Sequence, residues 1–119
     1  MILKTLKSFR YAFKGIIFVL KNENNAKVHL LATIAVLITG FYLRLSFRDW
    51  CWLLMAIALV WITETINTAI EKLVDLVSPQ QNEKAGMIKD IAAAAVLIAS
   101  FFSILIGSII FYNALFLQQ

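Results

Sequence analysis

Residues 50–77 contain no glycine or proline, and this uninterrupted stretch constrains the fold more than any other part of the chain. Its first part, residues 50–62, is apolar throughout, and its second part carries Glu64, Asn67, Thr68, Glu71 and Asp75. With no helix breaker between them, the two parts read as one helix. At 100° per residue the five polar positions share one face of it. Counted from Trp50 at 1.5 Å per residue, Glu64 lies about 21 Å and Glu71 about 31 Å along the axis. The hydrocarbon core of a bilayer is about 30 Å thick. With Trp50 at one interface, Glu64 is still inside the membrane near the other, and Glu71 emerges among the headgroups. A carboxylate at the depth of Glu64 is costly and belongs to a protein interior or a reaction site, whereas Asp75 fits a solvated helix end.

The composition supports a membrane setting. Of the 119 residues 61% are apolar, and the mean hydropathy is +0.83, too apolar for a soluble domain of this size. Residues 28–43 and 91–117 supply two further spans, so we expect an all-α integral membrane protein with three transmembrane helices at 28–43, 50–77 and 91–117. Residues 1–119 read as a single membrane domain, without linker or repeat. The single cysteine, Cys51, excludes an intrachain disulfide. Residues 1–27 form the surface helix and its link. In residues 2–21 Leu6, Phe9, Phe13, Ile16, Ile17 and Leu20 make one apolar stripe flanked by Lys7, Arg10, Lys14 and Lys21, the pattern of an amphipathic helix lying in an anionic membrane surface. The net charge of +4 therefore points to lipid headgroups and not to nucleic acid. Residues 22–27 read as a polar break, residues 44–49 as a short turn at an aromatic belt, and residues 78–88 as a polar loop opened by Ser78-Pro79.

Orientation follows from the eleven Lys and Arg residues. Residues 4, 7, 10, 14, 21, 27, 72, 84 and 89 lie on one side; Arg44 and Arg48 lie on the other. The excess marks the cytoplasmic side, so the acidic face and the loop after it face the compartment that contains ATP. Ala95, Ala99, Ser103 and Gly107 are small residues four apart, a spacing that permits close helix approach in lipid but also arises because alanine forms helices well. Three spans do not easily enclose an acidic site, so an oligomer is expected.

These residues fit phosphoryl transfer. Magnesium takes oxygen ligands and often uses one or two carboxylates together with substrate phosphates; Glu71 and Glu23 are placed for that task, although Glu23, an isolated acid among cations, reads on its own as an ordinary salt-bridge partner. Glu64, deeper in the membrane, is placed to take a proton from a lipid hydroxyl. Lys89, beside Asp90, can offset phosphate charge. His29, the sole histidine, reads as a packed or interfacial imidazole and not as part of a metal site. There is no Walker loop and no kinase catalytic loop. The rival reading is a small oligomeric channel or transporter with Glu64 as an intramembrane ion site, but a channel would carry its charges along a pore and not gathered at one interface.

The runs ETINTAIEKLVD (64–75) and KDIAAAAV (89–96) resemble the signature of the small prokaryotic diacylglycerol kinase and undecaprenol kinase family. The likeness extends through SFRYAFKG (8–15) and through Asn22, Glu23, Lys27, Val28 and His29, covering nearly the whole chain. The resemblance implies an ATP-dependent lipid kinase of the bacterial inner membrane. It implies a homotrimer with active sites at subunit contacts, acting on diacylglycerol or undecaprenol with Mg²⁺. By position it implies Glu64 as catalytic base, Glu23 and Glu71 as the carboxylates that hold Mg-ATP, and Asn67 as the polar residue supporting that cluster. Tyr11, Asn82, Lys89 and Asp90 become further nucleotide-binding positions. Lys27 stands where many members have Arg, and Asn82 where many have His. Residues 92–95, without a hydroxyl, lean toward the undecaprenol side.

Overall fold

The computed structural model describes residues 1–117; the last two residues of the domain expected over 1–119 lie outside the described ones. It has four helices, α1 Ile2–Asn22, α2 Asn24–Tyr42, α3 Phe47–Val77 and α4 Glu83–Phe116. Three of them, α2, α3 and α4, are long and apolar enough to cross a membrane, and α1 is the amphipathic helix. The all-α membrane architecture is the one expected. Leu31, Ile38, Leu54, Met55, Leu97 and Phe101 are among many large apolar side chains that face outward, an exposure that water would penalise and lipid does not.

All three spanning helices begin earlier than the apolar runs. The polar break at 22–27 shrinks to one residue, Glu23, in extended conformation, whose N–H donates to Val19 O at 3.1 Å. Asn24, Asn25 and Lys27 form the first turn of α2, with Ala26 fully buried in the corner. Polar residues are at home there because first-turn N–H groups have no partner within the helix. Likewise Phe47, Arg48 and Asp49 belong to α3, whose start is set by Ser46: its hydroxyl accepts from Asp49 N at 3.2 Å. Helix α4 begins at Glu83 and not near 91. Asn82 Oδ1 accepts from Lys84 N at 2.8 Å and Ala85 N at 3.3 Å. Residues 83–90 thus extend the helix beyond the apolar depth, since a 34-residue helix is about 51 Å long.

The α2–α3 turn is closed by backbone geometry. Arg44 has φ 52°; its N–H donates to Phe41 O, and the N–H of Leu45 reaches back to Gly40 O at 3.3 Å, the paired bonds of a Schellman cap. Leu45 is buried under it with Leu53 and Ile110. Gly40 is required because a Cβ there would come within 2.9 Å of Trp50 Cη2. Trp50 is itself packed on Phe41, with ring centroids 4.8 Å apart.

Helices α3 and α4 form the most extensive pairing. Ala56 and Ala99 are buried, and Ser103 Oγ donates to Ala56 O at 2.9 Å across the pair. Part of the small-residue stripe is therefore used inside the chain, while Ala95 is exposed and Gly107 faces open space. Helix α2 is tied to α3 by Trp61 Nε1, which donates to Thr33 Oγ1 at 3.0 Å. Between α2, α3 and α4 lies an apolar cleft of about 550 Å³, lined by Val36, Leu53, Ile57, Ile104, Gly107 and neighbours. The molecule measures 57 × 42 × 21 Å, about two helix diameters thick.

Candidate active site

The polar residues of α3 point inward where α3 meets the α1–α2 corner. Glu64 is only 1% exposed, and Asn67 and Thr68 are buried with it. Residues three and four apart on a helix lie one above another, and the contacts follow that ladder. Thr68 Oγ1 donates to Glu64 O at 3.0 Å, and Asn67 Nδ2 donates to Glu71 Oε1 at 3.3 Å. The Glu23, Glu71 and His29 side chains are close enough to act electrostatically on Glu64. His29 Nε2 stands 3.5 Å from Glu64 Oε2, in contact range but without a hydrogen bond of good geometry. Glu64 Oε2 and Asn67 Oδ1 remain buried acceptors with no hydrogen-bond donor among the described residues. An unsatisfied buried polar group costs about 1–3 kcal/mol, and more for a charged one. Such groups mark a place where another molecule completes the bonding. Both line a cleft of about 280 Å³ with Asn25, His29, Ala93 and Ser100.

Glu23 caps the start of α2 through its backbone only, which leaves its carboxylate to face Lys72 Nζ at 4.0 Å. Lys72 also sits over the ring of Phe18, 5.5 Å from its centroid. Further toward the aqueous end, Lys89 is paired with Asp75 and Asp90 is exposed. The two neighbours differ because consecutive helical residues point about 100° apart. Lys89 and Asp75 line a second cleft, of about 520 Å³, with Ser78, Gln80 and Asn82. Asn82 spends its Oδ1 on the α4 cap. Tyr11 is exposed on α1 with Lys14 Nζ 5.5 Å from its ring centroid.

The structure thus brings Glu23, Glu64, Asn67 and Glu71 into one cluster, sets Asn82 and Lys89 at a separate cleft by the α3–α4 loop, and leaves Tyr11 and Asp90 on the surface. His29, Thr33 and Trp61 were not singled out as site residues by sequence reasoning. The available signal was that the sole histidine enters α2 on the same side of the membrane as Glu64.

The sequence pattern of the prokaryotic diacylglycerol kinases matches residues 10–111. The chain belongs to that family. This kinase is 39% identical over 105 residues to the undecaprenol kinase of Bacillus subtilis strain 168, covering 88% of this chain and 85% of that one. It is 36% identical over 103 residues to a diacylglycerol kinase of Synechocystis sp., covering 86% of this chain but 59% of that longer one. It is 27% identical over 110 residues to the diacylglycerol kinase of Escherichia coli strain K12, covering 92% and 90% of the two chains. The chain is therefore a membrane lipid kinase catalysing phosphoryl transfer, and the channel reading has no support. The matched segment contains the whole acidic cluster and both polar clefts.

Proposed function

We propose that this kinase moves the γ-phosphoryl group of ATP to the primary hydroxyl of a membrane lipid at the cytoplasmic interface, with Glu64 as general base. The observation that carries the reading is the buried Glu64 carboxylate whose Oε2 has no donor among the described residues; the apolar length of α3 before it supports a depth near the headgroups. The hydroxyl proton passes to Glu64 Oε2, the hydroxyl oxygen bonds to the γ-phosphorus, and the bond from that phosphorus to the β-phosphate oxygen breaks, releasing ADP. Asn67, bonded to Glu71 and one turn from Glu64, keeps the two carboxylates apart and oriented. The loop cleft with Asn82 and Lys89 suits nucleotide phosphates and ribose; Tyr11 and Asp90, which lie outside its lining, are assigned to the nucleotide by the family resemblance alone.

The cluster fits Mg²⁺ carried in with ATP. Glu23 and Glu71 offer hard oxygen ligands, and Asn67 Oδ1 is a buried acceptor still without a partner. Among the described residues no group of three or more His, Cys, Asp or Glu could hold a metal by itself. That agrees with an ion that takes one or two carboxylates and completes its shell with phosphate and water. Bound there, Mg²⁺ would offset charge developing on the phosphate oxygens.

For the acceptor we favour undecaprenol, on the hydroxyl-free run at 92–95 and the Bacillus subtilis relative; the Synechocystis relative keeps diacylglycerol as the second reading. Radiolabelled ATP and purified kinase in mixed micelles, with each lipid offered alone, test both. Phosphorylated undecaprenol at the higher kcat/KM is expected. Labelling of diacylglycerol alone reverses the preference, and labelling of neither lipid removes the proposed reaction.

The kinase sits in the bacterial inner membrane with its N-terminus in the cytoplasm, as a homotrimer. The Lys and Arg asymmetry supports the orientation, and the broad outward apolar faces of so thin a chain support assembly. The checking measurement uses a Cys51→Ser background, because Cys51 is exposed. Impermeant maleimide is expected to label Phe47→Cys but not Gln81→Cys from outside intact cells, and the detergent complex to have the mass of three chains. Labelling at 81 alone would invert the topology, and a single-chain mass would remove the trimer.

A further inference from the structure

The reaction proposed above leaves His29 without a task, yet its turn of α2 is braced against α3. Thr33 Oγ1 donates to the backbone carbonyl of His29 at 2.7 Å, and Trp61 Nε1 donates to the same hydroxyl at 3.0 Å. The indole lies edge-on to the imidazole, with centroids 6.3 Å apart and planes at 70°. Trp61 and Glu64 are three residues apart and so share a face of α3. The brace on α2 and the carboxylate on α3 therefore meet at His29. Its Nε2 stands 3.5 Å from Glu64 Oε2, too long for a good hydrogen bond, so the ring edge bounds the oxygen's position while its lone pairs stay open. His29 also lines both the polar cleft with Glu64 and Asn67 and the apolar cleft that descends between α2, α3 and α4.

We infer that His29 is a positioning residue that holds Glu64 Oε2 at the head of the apolar cleft, so that the acceptor hydroxyl of a lipid meets the carboxylate in one orientation. This rests on the reading of Glu64 as base. Misplacing a reacting group by about 1 Å can cost about 100-fold in rate, so an imidazole that acts on the hydroxyl only through Glu64 can still matter to kcat.

The test places His29→Ala and His29→Gln in the wild-type and Glu64→Gln backgrounds, following radiolabelled ATP in lipid micelles. In the wild-type background His29→Ala is expected to lower kcat about 10–100-fold, with KM for ATP changed less than about twofold. His29→Gln, whose side-chain amide nitrogen can take the place of Nε2, is expected to recover most of the rate. In the Glu64→Gln background His29→Ala should cost nothing further, since a residue acting through Glu64 has nothing left to position. Wild-type kcat in His29→Ala, equal losses in the Ala and Gln variants, or multiplying losses in the double variant would each overturn the inference. Should His29→Ala lose Mg-ATP binding, His29→Asn replaces it. Its amide is too short to reach Oε2, so low kcat is expected and normal kcat overturns the inference. The Glu64→Gln single variant is read first. Normal turnover there sinks the base reading itself, whatever His29 does.

Discussion

Glu64→Gln is expected to lower kcat by about 10²–10⁴-fold, the usual cost of losing a general base, while Mg-ATP still binds. The amide keeps the volume and hydrogen-bonding shape of the carboxylate, so the buried position between Thr68 and His29 remains filled. The contact that ties this turn of helix, Thr68 Oγ1 to Glu64 O, uses the backbone and survives the change. What is lost is the ability to take the hydroxyl proton. Glu71 lies two turns away along α3, about 10 Å, so nucleotide and metal contacts near the aqueous end should be little disturbed. Rapid-mix measurement of phosphorylated lipid, alongside equilibrium binding of a nucleotide analogue with Mg²⁺, separates the two effects. Normal turnover, or failure only because nucleotide no longer binds, would show that another group activates the hydroxyl. Asp90 is then the first to try.

The α3 part of the acidic cluster was legible because its members sit on one helix, where spacing alone dictates facing; Glu23, between α1 and α2, was not placed by that spacing. Glu64, Asn67, Thr68 and Glu71 needed only the 3.6-residue period and the absence of a breaker. The three spans were legible because apolar length against bilayer thickness is a strong signal. Helix starts were not, and for one reason in each case. Hydropathy reports depth and not backbone conformation. Residues 24–27, 47–49 and 83–88 read as break, turn and loop although they form first turns or an aqueous extension of a helix. The capping residues carried a better signal: Ser46 with Asp49 three positions on, and Asn82 before Glu83. The left-handed Arg44 had no such signal, since that conformation is usually supplied by glycine and follows here from the tight α2–α3 closure over Leu45.

Contacts between helices were the other part the sequence could not supply. His29 next to Glu64, Trp61 bonded to Thr33, and Ser103 bonded to Ala56 depend on which faces of separate helices meet. The pairing of Lys89 with Asp75 is similar. Sequence adjacency suggested Lys89 and Asp90 as a unit, whereas helical geometry turns them apart and lets α3 supply the partner. An exposed pair of this kind contributes little to stability. It is therefore weak enough for nucleotide phosphate to displace Asp75 from Lys89, as the proposed site requires.

Glu23→Gln and Glu71→Gln are each expected to reduce turnover by about 10²-fold or more, the scale seen when one preorganised contact to developing charge is removed, and to raise the Mg²⁺ concentration needed for nucleotide binding. Neither substitution should disturb the fold. Glu23 caps α2 with its backbone and not its side chain, and its ion pair with the half-exposed Lys72 at 4.0 Å is of the kind that contributes little. At Glu71, glutamine retains an oxygen to accept from Asn67 Nδ2, so the i to i+4 contact persists. What disappears in each case is one formal negative charge beside the proposed metal position. The two variants differ from Glu64→Gln in a measurable way. There nucleotide affinity is kept and the chemical step fails; here Mg²⁺-dependent nucleotide binding weakens together with turnover, and excess Mg²⁺ recovers part of both. Titration of Mg²⁺ against binding of a fluorescent ATP analogue, with lipid phosphorylation measured on the same samples, distinguishes these patterns. If both variants bound nucleotide and turned over at wild-type Mg²⁺ dependence, Glu23 and Glu71 would not be metal ligands. The ion would then have to be held by phosphate alone or by the second cleft, where Asp75 becomes the nearest carboxylate to test.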